Sequence, residues 1–326
     1  MQSATKPMRK GIAVAGTILV DKIYEIAAYP EAGQLTQIKS IGFSVGGLVP
    51  NDGIDLKRLC PEIPVYAIGK IGADGEGRYV LNAFEENGLN TDGVIVSECE
   101  KTSFTDVMSV VGGQRTFFTY PGASATFGVD DICFEKLNAK MFHLGYFLLL
   151  DKVDKGDGLK ILQKAKEAGM LTSIDLVSEN SDRYSAVLPC LPYVDNLIIN
   201  ESEAGAMAGI QPTRENLPKI AKKLAELGVK ERVIIHMPET AYCYYQGKET
   251  FLNSYALPKG FIRGTTGAGD AFCAGALTAI YEGLSDIEIL ERAQMAAVGS
   301  LCEADATSGV KSVAELKELV KNFARQ

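Results

Sequence analysis

The sequence predicts an α/β fold built on a mostly parallel central sheet, with a smaller β-sheet outside it. Three observations carry that expectation. Short apolar runs of strand length alternate with segments of helical period, the pattern of parallel strands joined by crossover helices. Two segments, 22–45 and 102–120, interrupt the alternation with β-formers and no helical period. The 326 residues, 46% hydrophobic and 23% charged, suffice for one large buried core, and no repeat, low-complexity segment or long linker divides them.

Taken in order, Gly11 to Gly16 reads as a buried strand, and Ile54 to Leu59 as a short apolar helix after a glycine pair. Val65 to Ile71 is a strand, followed by a helix from about Gly75 to Asn87 that Gly88 ends. Met141 to Phe147 is a strand, and a helix from about Lys155 to Ala168 ends at Gly169. Leu171 to Val177 and Asn196 to Ile199 are strands, and Glu201 to Ala208 is a short helix. Asn216 to Leu227 is an amphipathic helix stopped by Gly228, before a strand at Arg232 to His236. The remainder is helical: Ala271 to Glu282, Ile287 to Glu303 and Val313 to Phe323. In the two interrupting segments Ile23, Tyr24, Ile26, Phe104, Val107, Val110, Phe117, Phe118 and Tyr120 are strand formers, and Gly112-Gly113 is a hairpin signal. A flat sheet beside an α/β core suits a lid that excludes water, a dimerisation surface, or a plain insertion.

A net charge of −8 and a pI near 5.1 argue against a nucleic-acid or anionic-membrane binder. Seven cysteines without a C-x-x-C pair fit buried thiols in a reducing compartment. Only His143 and His236 are available as imidazoles; their separation argues against a Cys nucleophile and a His-based zinc site, and both read as ordinary strand residues. Met1 to Lys10 does not resemble a targeting peptide, and no apolar run approaches the ~20 residues of a membrane helix. A soluble, cytoplasmic protein is expected.

Gly264-Thr265-Thr266-Gly267-Ala268-Gly269-Asp270-Ala271-Phe272 is the most informative stretch. A glycine-dense turn entering an apolar helix leaves backbone N–H groups facing outward at the positive end of the helix dipole, a site for phosphate. Asp270 beside that site suits a proton acceptor for an attacking hydroxyl; the alternative is a helix cap or dipole partner. Asp21, after the first strand, could accept two hydroxyl hydrogen bonds or be a solvated loop acid. In Gly46-Gly47-Leu48-Val49-Pro50-Asn51 the glycines permit close approach of a ligand and Asn51 offers a donor and an acceptor, although a plain loop would read alike. Asn200 and Glu203, three apart, are hard ligands suited to Mg²⁺, directly or through water, or else a capping box. Asp74 in Gly69-Lys70-Ile71-Gly72-Ala73-Asp74 reads as a helix cap. No dinucleotide G-x-G-x-x-G fingerprint and no Walker A lysine motif is present.

The G-T-T-G-A-G-D-A-F run resembles the C-terminal signature of the ribokinase-like (PfkB-type) carbohydrate kinases, and the likeness extends over nearly the whole chain. The segments with Asp21, with Gly46, Gly47 and Asn51, with Asp74, and with Asn200 and Glu203 resemble further motifs of that family. The resemblance implies a ribokinase-like three-layer fold, one kinase domain over 1–326, and a β lid formed by about 22–45 and 102–120. It implies an ATP-dependent sugar kinase acting on a ribose- or fructose-like hydroxyl. Asp270 would be the base, and Gly267, Ala268 and Gly269 the anion hole. Asp21, Gly46, Gly47 and Asn51 would hold the substrate. Asn200, Thr265, Gly267, Gly269 and Gly309 would bind ATP, with adenine near Ala304 to Gly309. Asn200 and Glu203 would organise Mg²⁺, and Asp175 and Arg183 would lie near the phosphates. A homodimer through the lid is compatible with it.

The chain departs from the family at three points. Pro50-Asn51-Asp52 replaces a commoner Ala-Asn-small run, so Asp52 bears on substrate preference. Gly264 stands where relatives carry an acid, which puts K⁺ activation in doubt. His236-Met237-Pro238-Glu239 replaces a Thr-x-Gly that touches nucleotide phosphates, which bears on ATP binding. Two rival readings remain: a nucleoside kinase whose lid stacks a base on Phe104, Phe117 or Phe118, and a non-catalytic sugar or nucleotide sensor. Lys39 and Arg115 are the cationic lid residues available to a phosphosugar.

Overall fold

A computed structural model describes residues 9–110, 115–178 and 183–326. Among these residues the strands are β1 (Ile12–Ala15), β2 (Leu19–Ile26), β3 (Ile38–Gly46), β4 (Val65–Gly72), β5 (Asn90–Ser97), β6 (Ser103–Val110), β7 (Arg115–Tyr120), β8 (Met141–Phe147), β9 (Leu171–Leu176), β10 (Asn196–Asn200), β11 (Arg232–Met237), β12 (Thr240–Tyr245) and β13 (Lys248–Asn253). The α-helices are α1 (Leu48–Leu59), α2 (Gly75–Glu86), α3 (Gly158–Glu167), α4 (Glu201–Ala208), α5 (Leu217–Glu226), α6 (Ala268–Glu282), α7 (Asp286–Ser300) and α8 (Val313–Val320).

Nine strands form the main sheet in the order β13-β12-β11-β10-β9-β8-β1-β4-β5. From β11 across to β5 every pairing is parallel; β12 and β13 extend the edge as an antiparallel hairpin. The first strand is interior because the apolar run Ile12–Ala15 is buried on both faces. One apolar cluster packs α1, α6, α7 and α8 on one face through Ile12, Val14, Val65 and Ile234. The other packs α3, α4 and α5 against Ala13, Phe142, Leu197 and Val233. The result is three layers, as expected. From β1 the chain moves one way to β4 and β5 and later the other way to β8 through β11, so a switch point lies at β1 and β8.

The other four strands form a separate sheet in the order β3-β2-β6-β7. It comprises the two segments read as extra β-structure, and β6 pairs antiparallel with β7. The Gly112-Gly113 turn between them lies outside the described residues. Alternation along the register puts Asp21, Ile23, Thr105, Val107, Phe117 and Thr119 on one face. Lys22, Tyr24, Phe43, Phe104, Asp106, Phe118 and Tyr120 fall on the other.

Several expectations change. Asp21 is not in a loop, because the chain passes from β1 into β2 after only Gly16-Thr17-Ile18. Helix α1 starts at Leu48 rather than Ile54, so Asn51 lies inside the helix; Pro50 is tolerated in the first turn, where its missing N–H has no partner to lose. The glycine turn is likewise part of a helix: α6 starts at Ala268, with Gly267 as its left-handed cap (φ 78°). A π-turn, Val153–Asp157, replaces the first turn expected of α3. Strands β5, β12 and β13 were not anticipated.

Candidate active site

Helix α6 brings its first turn to the C-terminal side of the main sheet. Ala268 N–H makes a long bond to the Thr265 carbonyl at 3.3 Å, and the N–H groups of Gly269 and Asp270 have no carbonyl one turn earlier to bond among the described residues. Gly267 is close to obligatory here: besides its positive φ, a Cβ would sit 2.5 Å from the Ala306 Cβ. Ala271 N–H bonds back to the Gly267 carbonyl at 2.8 Å, fixing the turn. Asp270 follows, 7% exposed. Its Oδ2 accepts from Asn51 Nδ2 at 2.8 Å, and the Tyr146 hydroxyl donates to Oδ1 and Oδ2 at 3.0 and 2.9 Å. Burial raises the Asp270 pKa, and these two donors partly offset the rise.

Tyr146 is a site residue that the sequence reading missed. It sits at the end of β8 with φ 57°, a left-handed conformation that a bulky residue holds only when its surroundings enforce it. Asp175, from the end of β9, supplies that constraint by accepting the Tyr146 N–H at 2.8 Å. The available signal was its place at the C-terminal end of an interior parallel strand at the switch point. Arg183 donates to the Leu148 carbonyl at 2.9 Å and lies 3.9 Å from Asp154.

On the other side of Asn51, Gly47 caps α1 with φ 85°, and a Cβ there would lie 2.7 Å from the Thr17 carbonyl. A Cβ at Gly46 would collide with the Asp21 carboxylate. Thus Asp21, Gly46, Gly47 and Asn51 converge where β2, β3 and α1 meet. Burial pushes Asp21 up to about 6. Arg115, on the Asp21 face of the small sheet, reaches Thr266 Oγ1 at 3.5 Å, so that face looks toward the α6 turn.

A cleft of about 650 Å³ opens on the opposite side of the turn, with Asn200, His236, Pro238, Thr265, Ala268 and Gly269 among its lining. Its apolar end includes Leu257, Ile262, Val298 and Leu301. Gly309 is elsewhere, packed against the Gly299 carbonyl. Gly264 is tight against the backbone, 2.9 Å from a Cβ position to the Glu303 carbonyl. His236 stacks on Phe272 with centroids 4.6 Å apart, and burial pulls its pKa down to about 4, so it presents a neutral ring to the cleft.

Asn200 and Glu203 form a capping box on α4. Asn200 Oδ1 accepts from Glu203 N–H at 2.9 Å, and Glu203 Oε2 from Asn200 N–H at 3.1 Å. Ser178 Oγ donates to Glu203 Oε1 and accepts from Asn200 Nδ2, both at 2.8 Å. With these oxygens so engaged, the pair fits a divalent cation through intervening water and not by direct ligation. Burial pushes Glu203 up to about 7.

The arrangement therefore joins a nucleotide-sized cleft to a buried carboxylate through one helix N-terminus. Comparison with known proteins places the chain among relatives. The profile described as pfkB family carbohydrate kinase matches residues 11–312. A ribokinase of Arabidopsis thaliana is 25% identical over 323 residues, covering 98% of this chain and 83% of that protein. A probable chloroplastic fructokinase-6 from the same plant is 28% identical over 257 residues, 76% of this chain and 65% of that protein. The solved structure of Arabidopsis thaliana ribokinase complexed with ribose and ATP superposes with a TM-score of 0.82 at 24% identity, covering 96% of this chain and 99% of that one.

Proposed function

The chain belongs to the pfkB family of carbohydrate kinases, ATP-dependent phosphotransferases with an alcohol acceptor, and from that premise we propose how this member works and on what. The acceptor is a small ribose- or fructose-like sugar bound between the small sheet and the main sheet. Asp21 accepts hydrogen bonds from its hydroxyls, Gly46 and Gly47 let its ring approach the backbone, and Asn51 orients it. ATP lies in the cleft with its phosphates directed at the α6 turn. Asp270 takes the proton of the attacking hydroxyl, and the oxygen attacks the γ-phosphorus in line. The N–H groups of Gly267, Ala268 and Gly269 stabilise the charge that develops. Asn200 and Glu203 would hold Mg²⁺ through water, and the ion would supply positive charge against the phosphates. The whole chain acts as one kinase domain, with the small sheet as lid and its outer face as the contact of a homodimer.

The hydrogen-bonded set of Asn51, Tyr146 and Asp270 at the α6 N-terminus carries this reading: a desolvated carboxylate is held where the phosphate turn and the sugar loops meet. The relatives and the ribose- and ATP-bound neighbour support a sugar acceptor. The small sheet supports it too, because Phe104 and Phe118 lie on the face away from Asp21, which leaves only Phe117 of the three to stack a nucleobase.

The test is ADP release from ATP and Mg²⁺ across sugars, sugar acids and nucleosides. Turnover on a pentose or ketohexose is expected, and Asp270→Asn should lower it on the order of 100- to 10,000-fold with ATP affinity nearly unchanged. Wild-type-like turnover in that variant removes Asp270 as base; turnover on nucleosides alone replaces the sugar.

A further inference from the structure

Behind the catalytic carboxylate lies a second polar cluster that the mechanism does not use. Asp52, His143 and Cys273 are 0%, 0% and 2% exposed. The His143 Nε2 is 3.5 Å from Asp52 Oδ2 and 3.6 Å from Cys273 Sγ, and the three ligand atoms lie within 4.8 Å of one another. Neither Asp52 oxygen accepts a well-formed hydrogen bond among the described residues, although the Cys273 thiol stands beside the carboxylate. The other ring nitrogen, Nδ1, meets Ser173 Oγ at 2.9 Å, a partner that can hold the tautomer with the Nε2 lone pair aimed at Asp52 and Cys273.

We propose that Asp52, His143 and Cys273 supply three ligands of a tetrahedral divalent metal ion, zinc by preference, with one water as the fourth, and that the ion pins the three elements together beneath the active site. With Zn–S near 2.3 Å and Zn–N near 2.0 Å, tetrahedral geometry separates the sulfur and nitrogen about 3.6 Å and two N/O ligands about 3.4 Å. The observed 3.6 and 3.5 Å match these values. A thiolate with an imidazole selects zinc over magnesium. Electrostatics point the same way. Asp52, Asp175 and Asp270 are all buried, and no lysine or arginine among the described residues forms an ion pair with any of them. Uncompensated buried carboxylates are costly, and a divalent cation in their midst offsets that cost.

The placement explains what the ion does. Asp52 is the neighbour of Asn51 on α1, His143 is three residues before Tyr146 on β8, and Cys273 is one turn after Asp270 on α6. Each element thus supplies one metal ligand and one member of the Asn51–Tyr146–Asp270 set. The spacing 52, 143 and 273 hides this single-histidine site from sequence reading. The ion is taken up as the chain folds, with loss of the Cys273 thiol proton.

The full chain expressed in minimal medium with cobalt in place of zinc tests the site. About one cobalt per chain is expected, with a thiolate-to-cobalt charge-transfer band and the intense visible bands of a four-coordinate ion. Cys273→Ala should lose the charge-transfer band, and Ser173→Ala should weaken zinc affinity on the order of 10-fold, read by chelator competition. An ion held in the nucleotide cleft would have oxygen ligands and a weak six-coordinate spectrum unchanged in Cys273→Ala, and that result overturns the proposal. So does wild-type protein that folds and retains neither cobalt nor zinc. If the variants fail to fold, a wild-type charge-transfer band that survives Cys60→Ala supports the site, and a band lost with Cys60, which lies in a second cluster with Glu62 and Glu282, overturns it.

Discussion

Two donors hold Asp270, and each constrains its chemistry. Both hydrogen bonds favour the ionised form that a base requires, against burial that disfavours it. Removing the Tyr146 hydroxyl therefore lets the Asp270 pKa rise further and loosens the carboxylate. Tyr146→Phe should lower kcat roughly 10- to 100-fold, the worth of a hydrogen bond to a charged group, and should shift the acid limb of the pH–kcat profile upward. An unmoved limb would leave Tyr146 with a packing role alone. Asp270 was legible because its context is local: the glycine turn and the apolar helix are contiguous. Tyr146 was not, because its partner lies 124 residues away and its neighbours Leu144-Gly145 and Phe147 read as ordinary strand. Asn51 was read as a loop residue, and its reach to Asp270 across 219 residues appears only in the fold.

At the scale of elements, the α6 N-terminus depends on one backbone conformation. Gly267→Ala places a Cβ against Ala306 and in left-handed φ, so the turn must move. The expected result is a loss of roughly 1–3 kcal/mol of stability, seen as a lowered Tm, together with weaker ATP binding by calorimetry. Unchanged ATP affinity would argue against the turn as the phosphate site. The interior parallel strands and amphipathic helices were readable because burial on both faces, or on one stripe, leaves a strong period. The edges were not. The β12–β13 hairpin turns through Gln246-Gly247, φ 49° and 82°, a pair that lacks the Asn-Gly or Asp-Gly signature of such turns. Strand β5 begins Asn90-Thr91-Asp92-Gly93, which reads as a turn. Helix starts at α1 and α6 were placed late because glycine and proline in a first turn look like loop.

For the whole molecule, buried acids set the response to pH. Asp21 and Glu203 are raised from 3.8 to about 6 and from 4.5 to about 7. Across that window the folded chain binds more protons than the unfolded one, so their contribution is full below pH about 4 and fades as pH rises toward 7. The buried His143 and His236, lowered from 6.5 to about 3 and about 4, act with opposite sign over the same range, so the contribution of the acids is read as a difference: between pH 5 and 7 the Tm of the ligand-free wild type should fall more, or rise less, than that of Glu203→Gln. Parallel Tm curves for the two proteins would show that Glu203 does not contribute to the response. The joints between the two sheets have a further consequence. The chain enters the small sheet directly from β1 and leaves it through Gly47 directly into α1, so Asp21 and Gly46 ride on the small sheet while Asn51 stays with the body. If Asp21 and Gly46 hold the sugar as proposed, any swing of that sheet would carry part of the sugar's binding contacts with it. Sugar occupancy and sheet position would then be reciprocally linked: the sugar would favour the arrangement in which all its contacts are met, and that arrangement would tighten the sugar by the same factor. With the sugar held as proposed, that linkage would work against idle hydrolysis of ATP, since the arrangement would be favoured when sugar is bound.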